Sequence, residues 1–127
     1  MAIRGIRGAT TAPANTRDAI LAATRELLDA LIRANAIQLA DVASIYFTTT
    51  ADLDAAFPAA AAREMGWTDT ALLDAQAPRV PNDIAHCIRV LIHWNTENPR
   101  DNLRHVYLHG ASHLRPDWAT RVIAAQQ

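Results

Sequence analysis

An arginine stands in the middle of an apolar run, Cys87-Ile88-Arg89-Val90-Leu91-Ile92. A guanidinium keeps its proton at any working pH and is costly to bury alone, so its place there implies a waiting anion. That anion is either a fixed carboxylate of the protein or a ligand, and this segment by itself fits both readings. As a strand, the run puts Ile88, Val90, Ile92 and Trp94 on one face and Cys87, Arg89, Leu91 and His93 on the other. The first face suits a core; the second suits the lining of a pocket.

Other anion contacts are available at Arg7, Arg63 and Arg115, and Tyr107, Asp74, Cys87 and Gln76 offer polar tips that could orient a ligand. All 12 basic residues are arginine, so an anion site here must use the planar fork that matches a carboxylate rather than a lysine point charge. Ser44 and Ser112 lack the flanking glycines of a nucleophile elbow. The histidines, His86, His93, His105, His109 and His113, show no H-E-x-x-H or similar ligand spacing, so no metal site is expected.

The elements that must hold these residues follow from local pattern. At 127 residues, half of them hydrophobic, the chain suits one domain over 1–127 with a single core. A formal net charge of -1 gives no electrostatic footprint for nucleic acid. The lone Cys87 excludes an internal disulfide and a cysteine zinc cluster. Neither a signal-peptide stretch nor a membrane-spanning run is present, so a soluble cytoplasmic protein is expected.

Ile3 to Thr10 reads as a strand with Ile3, Gly5 and Arg7 on one face and Arg4, Ile6 and Gly8 on the other, so Arg4 and Arg7 should do different jobs. Thr16 suits the N-cap of a helix to about Ala34, with Asp18 in its first turn and an apolar stripe of Ile20, Ala23, Leu27, Leu28 and Leu31. Ser44 to Thr50, rich in β-branched and aromatic residues, is a second strand. A second helix is expected from Phe57-Pro58 through the alanine run to Met65, and a short strand from Leu72 to Gln76 before Pro78 and Pro81. A short helix over Asn82 to His86 should then feed the Arg89 strand, and Arg104 to Leu108 should form the last strand. Interleaved helices and strands predict an α/β or α+β fold, a mixed sheet with helices on one face.

Five segments, taken in order, give the sequence a family likeness. Arg4-Gly5-Ile6-Arg7-Gly8-Ala9-Thr10-Thr11, Phe57-Pro58-Ala59 with Arg63, Cys87-Ile88-Arg89-Val90, Arg104-His105-Val106-Tyr107-Leu108 and Leu114-Arg115-Pro116-Asp117 span nearly the whole chain. Together they resemble the monofunctional bacterial chorismate mutases of the trimeric α/β-barrel type. The resemblance implies an isomerase of aromatic amino-acid biosynthesis, in the shikimate pathway. Such an enzyme rearranges chorismate to prephenate by an intramolecular Claisen step, with no cofactor, metal or covalent intermediate. It implies a homotrimeric pseudo-α/β barrel with active sites at the clefts between subunits. By the same resemblance Arg89 approaches the ether oxygen of the breaking C–O bond, Arg7 and Tyr107 contact a substrate carboxylate, and Cys87 lines the site. Phe57, Ala59 and Arg63 come from the neighbouring subunit, and Leu114 and Arg115 close over the pocket.

The chain departs from the family pattern at one place. Relatives carry a glutamate ahead of the key arginine, reaching the substrate hydroxyl; the matching position here is Ala77, and Asp74 stands three residues earlier. Asp74 is therefore expected to take over as the carboxylate that offsets Arg89, provided that the segment bends, as Pro78 permits. The alternative reading is a trimer of similar architecture that binds a small carboxylate without catalysing the rearrangement, or an imine deaminase; Arg7 and Arg89 together favour the mutase, and Ala77 favours the rival.

Overall fold

A computed structural model describes residues 1–115. Pro116 and Asp117, which belong to the fifth family-like segment, lie outside the described residues. The long helix α1 covers Arg17–Asn35 and starts where the sequence provides a cap: Thr16 is extended and its hydroxyl accepts the Ala19 N–H at 3.1 Å. It ends at Ala36, which is left-handed at φ 53° and returns its N–H to the Ile32 carbonyl. The short helix α2, Ala59–Glu64, packs beside it, and Glu64 accepts ion pairs from Arg17 and Arg25.

Five strands form one mixed sheet: β1 Ala2–Thr11, β2 Val42–Thr49, β3 Ala71–Gln76, β4 Cys87–Thr96 and β5 Val106–Tyr107, in the order β3-β2-β4-β1-β5. β4 runs antiparallel to both of its neighbours, and the outer strands β3 and β5 join in parallel. Ile6, Ile45, Phe47, Val90, Ile92 and Trp94 share the face that meets Leu27, Leu28 and Leu31 of α1 and Ala59 and Ala62 of α2. Burial of this apolar surface is the main favourable term in the fold. Gly8 sits beneath α1: a Cβ there would stand 2.9 Å from Leu31 Cδ1 and 3.1 Å from the Val106 carbonyl oxygen.

The opposite face carries no α-helix among the described residues. Ile3, Tyr46 and Leu73 lie exposed on it, at 57, 43 and 56 % of their surface. No helix is long and apolar enough to cross a membrane among the described residues.

Two expected elements differ. Residues 82–86 form no helix: Asn82 and His86 are both left-handed, at φ 67° and 51°, and the Asp83 side chain accepts the next N–H, of Ile84, at 2.8 Å. Such local side-chain bonding competes with helical bonding. The last strand shrinks to Val106–Tyr107 because the Asn35 side chain takes both backbone groups of Arg104, its N–H at 2.8 Å and its carbonyl at 2.9 Å.

Candidate active site

The strand register lays out a row across the open face. Tyr107 of β5 stands beside Ala9 of β1, Ala9 opposite Arg89 of β4, and Arg89 opposite Thr48 of β2. Arg7 is two residues along β1, opposite Leu91, and so is the diagonal neighbour of Arg89. The two arginines line one cleft of about 240 Å³ together with Tyr46 and Thr48. Ala9, between Tyr107 and Arg89, is fully buried.

At the strand ends this face is roofed. Ala9, Cys87, Tyr107 and Ala111 form a small buried cluster, with Ile84 and Leu114 packed against it. The turn His109–His113 carries Ala111 into place, and Leu114 follows with the part-buried Arg115. Cys87 is anchored by its own N–H, which donates to the Thr50 hydroxyl at 2.9 Å. Burial pushes the Cys87 thiol up to about 11, against the opposing pull of Arg89. Cys87 is thus held as a buried, neutral thiol.

Asp52 braces the same corner: it accepts the Thr50 hydroxyl and, at 2.9 Å, the His86 N–H. The Thr50 bond, above all, holds its carboxyl below the usual range. The end of β2 is thereby fixed to the residue that precedes β4.

The remaining expected site residues gather elsewhere. Phe57 is 68 % exposed at the entry to α2 and lines a cavity of about 610 Å³ with Asp74, Gln76 and Arg17. Ala59 is buried, and Arg63 projects from α2 into solvent. Asp74 pairs in register with Phe47, which places it on the helix-bearing face. Its Oδ1 accepts the Ala59 N–H at 3.0 Å, one of the N–H groups that open α2. Burial raises the Asp74 pKa, while the Ala59 bond and the Arg63 charge hold it back.

The structure therefore brings Arg7, Arg89, Cys87, Tyr107 and Leu114 to one side and Phe57, Ala59, Arg63 and Asp74 to another. It does not bring Asp74 to Arg89 within one protomer. The carboxylate beside Arg89 is Asp83, with Oδ1 3.2 Å from Nη2. Sequence reasoning missed Asp83, which no motif marks. It also missed Thr48, although alternation along β2 already placed Thr48 opposite in direction to Phe47.

The family model for chorismate mutase type I matches residues 3–118. Two proteins named chorismate mutase AroH are similar to the chain. That of Thermus thermophilus is 50 % identical over 116 residues, covering 91 % of this chain and 95 % of that protein. That of Bacillus subtilis is 42 % identical over 118 residues, covering 92 % and 93 %. A solved chorismate mutase from Clostridium thermocellum superposes with a TM-score of 0.85 at 50 % identity, over 86 % of this chain and 97 % of that one. The chain belongs to the chorismate mutase type I family.

Proposed function

We infer that the protein is a chorismate mutase, an isomerase that converts chorismate to prephenate by an intramolecular Claisen rearrangement. In such a step bond breaking runs ahead of bond making, and negative charge builds on the ether oxygen. A fixed cation aimed there stabilises the transition state more than the ground state. Arg89 is that cation in our reading, and Arg7 and Tyr107 bind a substrate carboxylate so that the compact conformer of the substrate is held. The observation that carries this reading is the convergence of Arg7 and Arg89 on a single cleft of the open sheet face.

We further propose that the site is completed by a neighbouring protomer of a homotrimer, which supplies Phe57, Ala59, Arg63 and Asp74, while Leu114 and Arg115 close the cleft. Two features support this: those residues stand apart from Arg89 in one protomer, and the open face exposes Ile3, Tyr46 and Leu73. Each chain then serves as one catalytic domain. A cytoplasmic setting goes with this biosynthetic role. The test is the loss of chorismate absorbance with purified protein, with prephenate identified as product. Carboxylate binding without turnover would favour the non-catalytic alternative instead.

A further inference from the structure

We propose that Asp83 is the positioning residue for Arg89, doing in this chain what the sequence suggested for Asp74; the inference rests on the chorismate mutase reading of the same cleft. Three independent features of the structure point to it.

The first is the pair itself. Asp83 Oδ1 lies 3.2 Å from Arg89 Nη2, and the two side chains are only 27 % and 21 % exposed. Two other arginine pairs, Arg17–Glu64 and Arg25–Glu64, are 45–60 % exposed. Water screens the Asp83–Arg89 pair least of these.

The second is that Asp83 is itself held. Its Oδ1 also accepts the Ile84 N–H at 2.8 Å, so the carboxylate is locked to its own backbone. Asn82 and His86, both left-handed, bracket it. The segment is tied down on each side. Ala77 N–H donates to the Thr49 carbonyl at 2.8 Å, and the His86 carbonyl accepts the Ala12 N–H at 2.9 Å. Ile84 packs onto the Cys87–Tyr107 cluster. A loop with this many fixed points can aim a carboxylate.

The third is what surrounds the guanidinium. Arg89, Asp83 and Thr48 line a common cavity of about 600 Å³. Thr48, the cross-strand neighbour of Arg89, has a buried hydroxyl with no hydrogen-bond partner, so it does not anchor the guanidinium. Asp83 does so through one Nη2 contact, which leaves the other N–H groups of the fork for substrate. An arginine fixed before substrate arrives loses less side-chain freedom in the transition state, and donors already in place act more strongly on developing charge.

The experiment compares Asp83→Asn, Asp83→Glu and Asp74→Asn with wild type in steady-state chorismate turnover, with thermal melts to show that each is folded. Asp83→Asn should lower kcat by about ten- to a hundredfold, the range expected when a catalytic group is misplaced by up to an ångström. KM should change less, because ground-state carboxylate binding belongs to Arg7 and Tyr107. Asp83→Glu, which keeps the charge, should recover part of kcat; a merely structural role would give no such split between kcat and KM and no rescue by charge. Wild-type kcat in folded Asp83→Asn, beside an active wild-type enzyme, overturns this inference and leaves the mutase reading standing. An inactive wild-type enzyme overturns the mutase reading, and this one with it. A loss confined to Asp74→Asn would return the role to Asp74.

Discussion

Replacing Arg89 by lysine tests the catalytic reading most sharply, because it keeps the charge and removes the fork. The size of the effect can be worked from the site. A unit charge about 4 Å from a developing oxyanion is worth roughly 4 kcal/mol at an effective dielectric of about 20. Arg89 is 21 % exposed, which fits that intermediate regime better than bulk water. The ether oxygen gains only part of a charge, and Asp83 3.2 Å away offsets some of the field. An estimate of about 2.7–4 kcal/mol, the range for removing one oxyanion donor, is therefore reasonable. At about 1.4 kcal/mol per factor of ten, kcat should fall on the order of a hundred- to a thousandfold.

Lysine cannot recover this by position. Its ammonium is a compact point charge on a flexible stem, and it cannot present one nitrogen to Asp83 while a rigidly linked second faces substrate. Stability should change little, since a partly exposed ion pair contributes at most about 1 kcal/mol. The assay is single-substrate turnover at saturating chorismate, with circular dichroism melts on both proteins. If Arg89→Lys is folded and its kcat is within about threefold of wild type, a loss below about 0.7 kcal/mol, Arg89 is not the transition-state contact and the reasoning fails.

Three further outcomes follow from the geometry. Gly8→Ala should destabilise by about 1–3 kcal/mol in urea titrations, because its Cβ would meet Leu31 and the Val106 carbonyl at 2.9 and 3.1 Å, and the carbonyl belongs to a paired strand; an unchanged midpoint would mean that α1 has slack over the sheet. The Cys87 thiol, buried and pushed up to about 11, should resist alkylation in the native protein at pH 8 and react once unfolded, with native labelling accelerating only as pH climbs toward that value; prompt native labelling at pH 8 would refute its burial. Mixing Arg63→Ala with Arg89→Ala under proven subunit exchange should restore part of the activity, because some clefts then combine two intact halves; a monomer by light scattering, or no recovery, would count against shared sites.

Much of the frame was legible in the sequence because it is periodic. Alternation along Cys87–Thr96 predicted the inner residues Ile88, Val90, Ile92 and Trp94, and all are buried. Thr16 and the leucine stripe predicted α1, and the cap bond to Ala19 is present. What failed was set by individual contacts, near and distant, rather than by periodicity. Nothing local in Arg104–Leu108 shows that Asn35, 69 residues away, takes the backbone groups of Arg104. Nothing local in Asn82–His86 shows that Ala12 claims the His86 carbonyl, or that two left-handed residues break the helix. The partner of Arg89, only six residues away, was illegible because no periodicity marks it. Asp83 reaches it by the course of a loop, whereas Asp74, nearer to the family position, points to the face that carries α2.

The two faces of the sheet divide the work, and each explains the other. Helix packing against Ile6, Phe47, Val90 and Ile92 fixes the backbone of β1, β2 and β4 to the tolerance of a close-packed core. Since strand side chains alternate, that same packing sets the positions from which Arg7, Thr48 and Arg89 project on the reverse side. An arginine on a core strand is therefore positioned by the core itself, and in this chain a carboxylate, Asp83, meets its tip. The reverse side stays open in one protomer. It leaves Ile3, Tyr46 and Leu73 in water beside a cleft lined by Arg7 and Arg89. Covering those apolar side chains with another copy of the chain would lower the free energy of the assembly and, in the same movement, bring a second surface to the cleft. On this argument assembly and site completion are one event, so substitutions at Tyr46 or Leu73 that weaken association should lower turnover at dilute enzyme and spare it at high concentration.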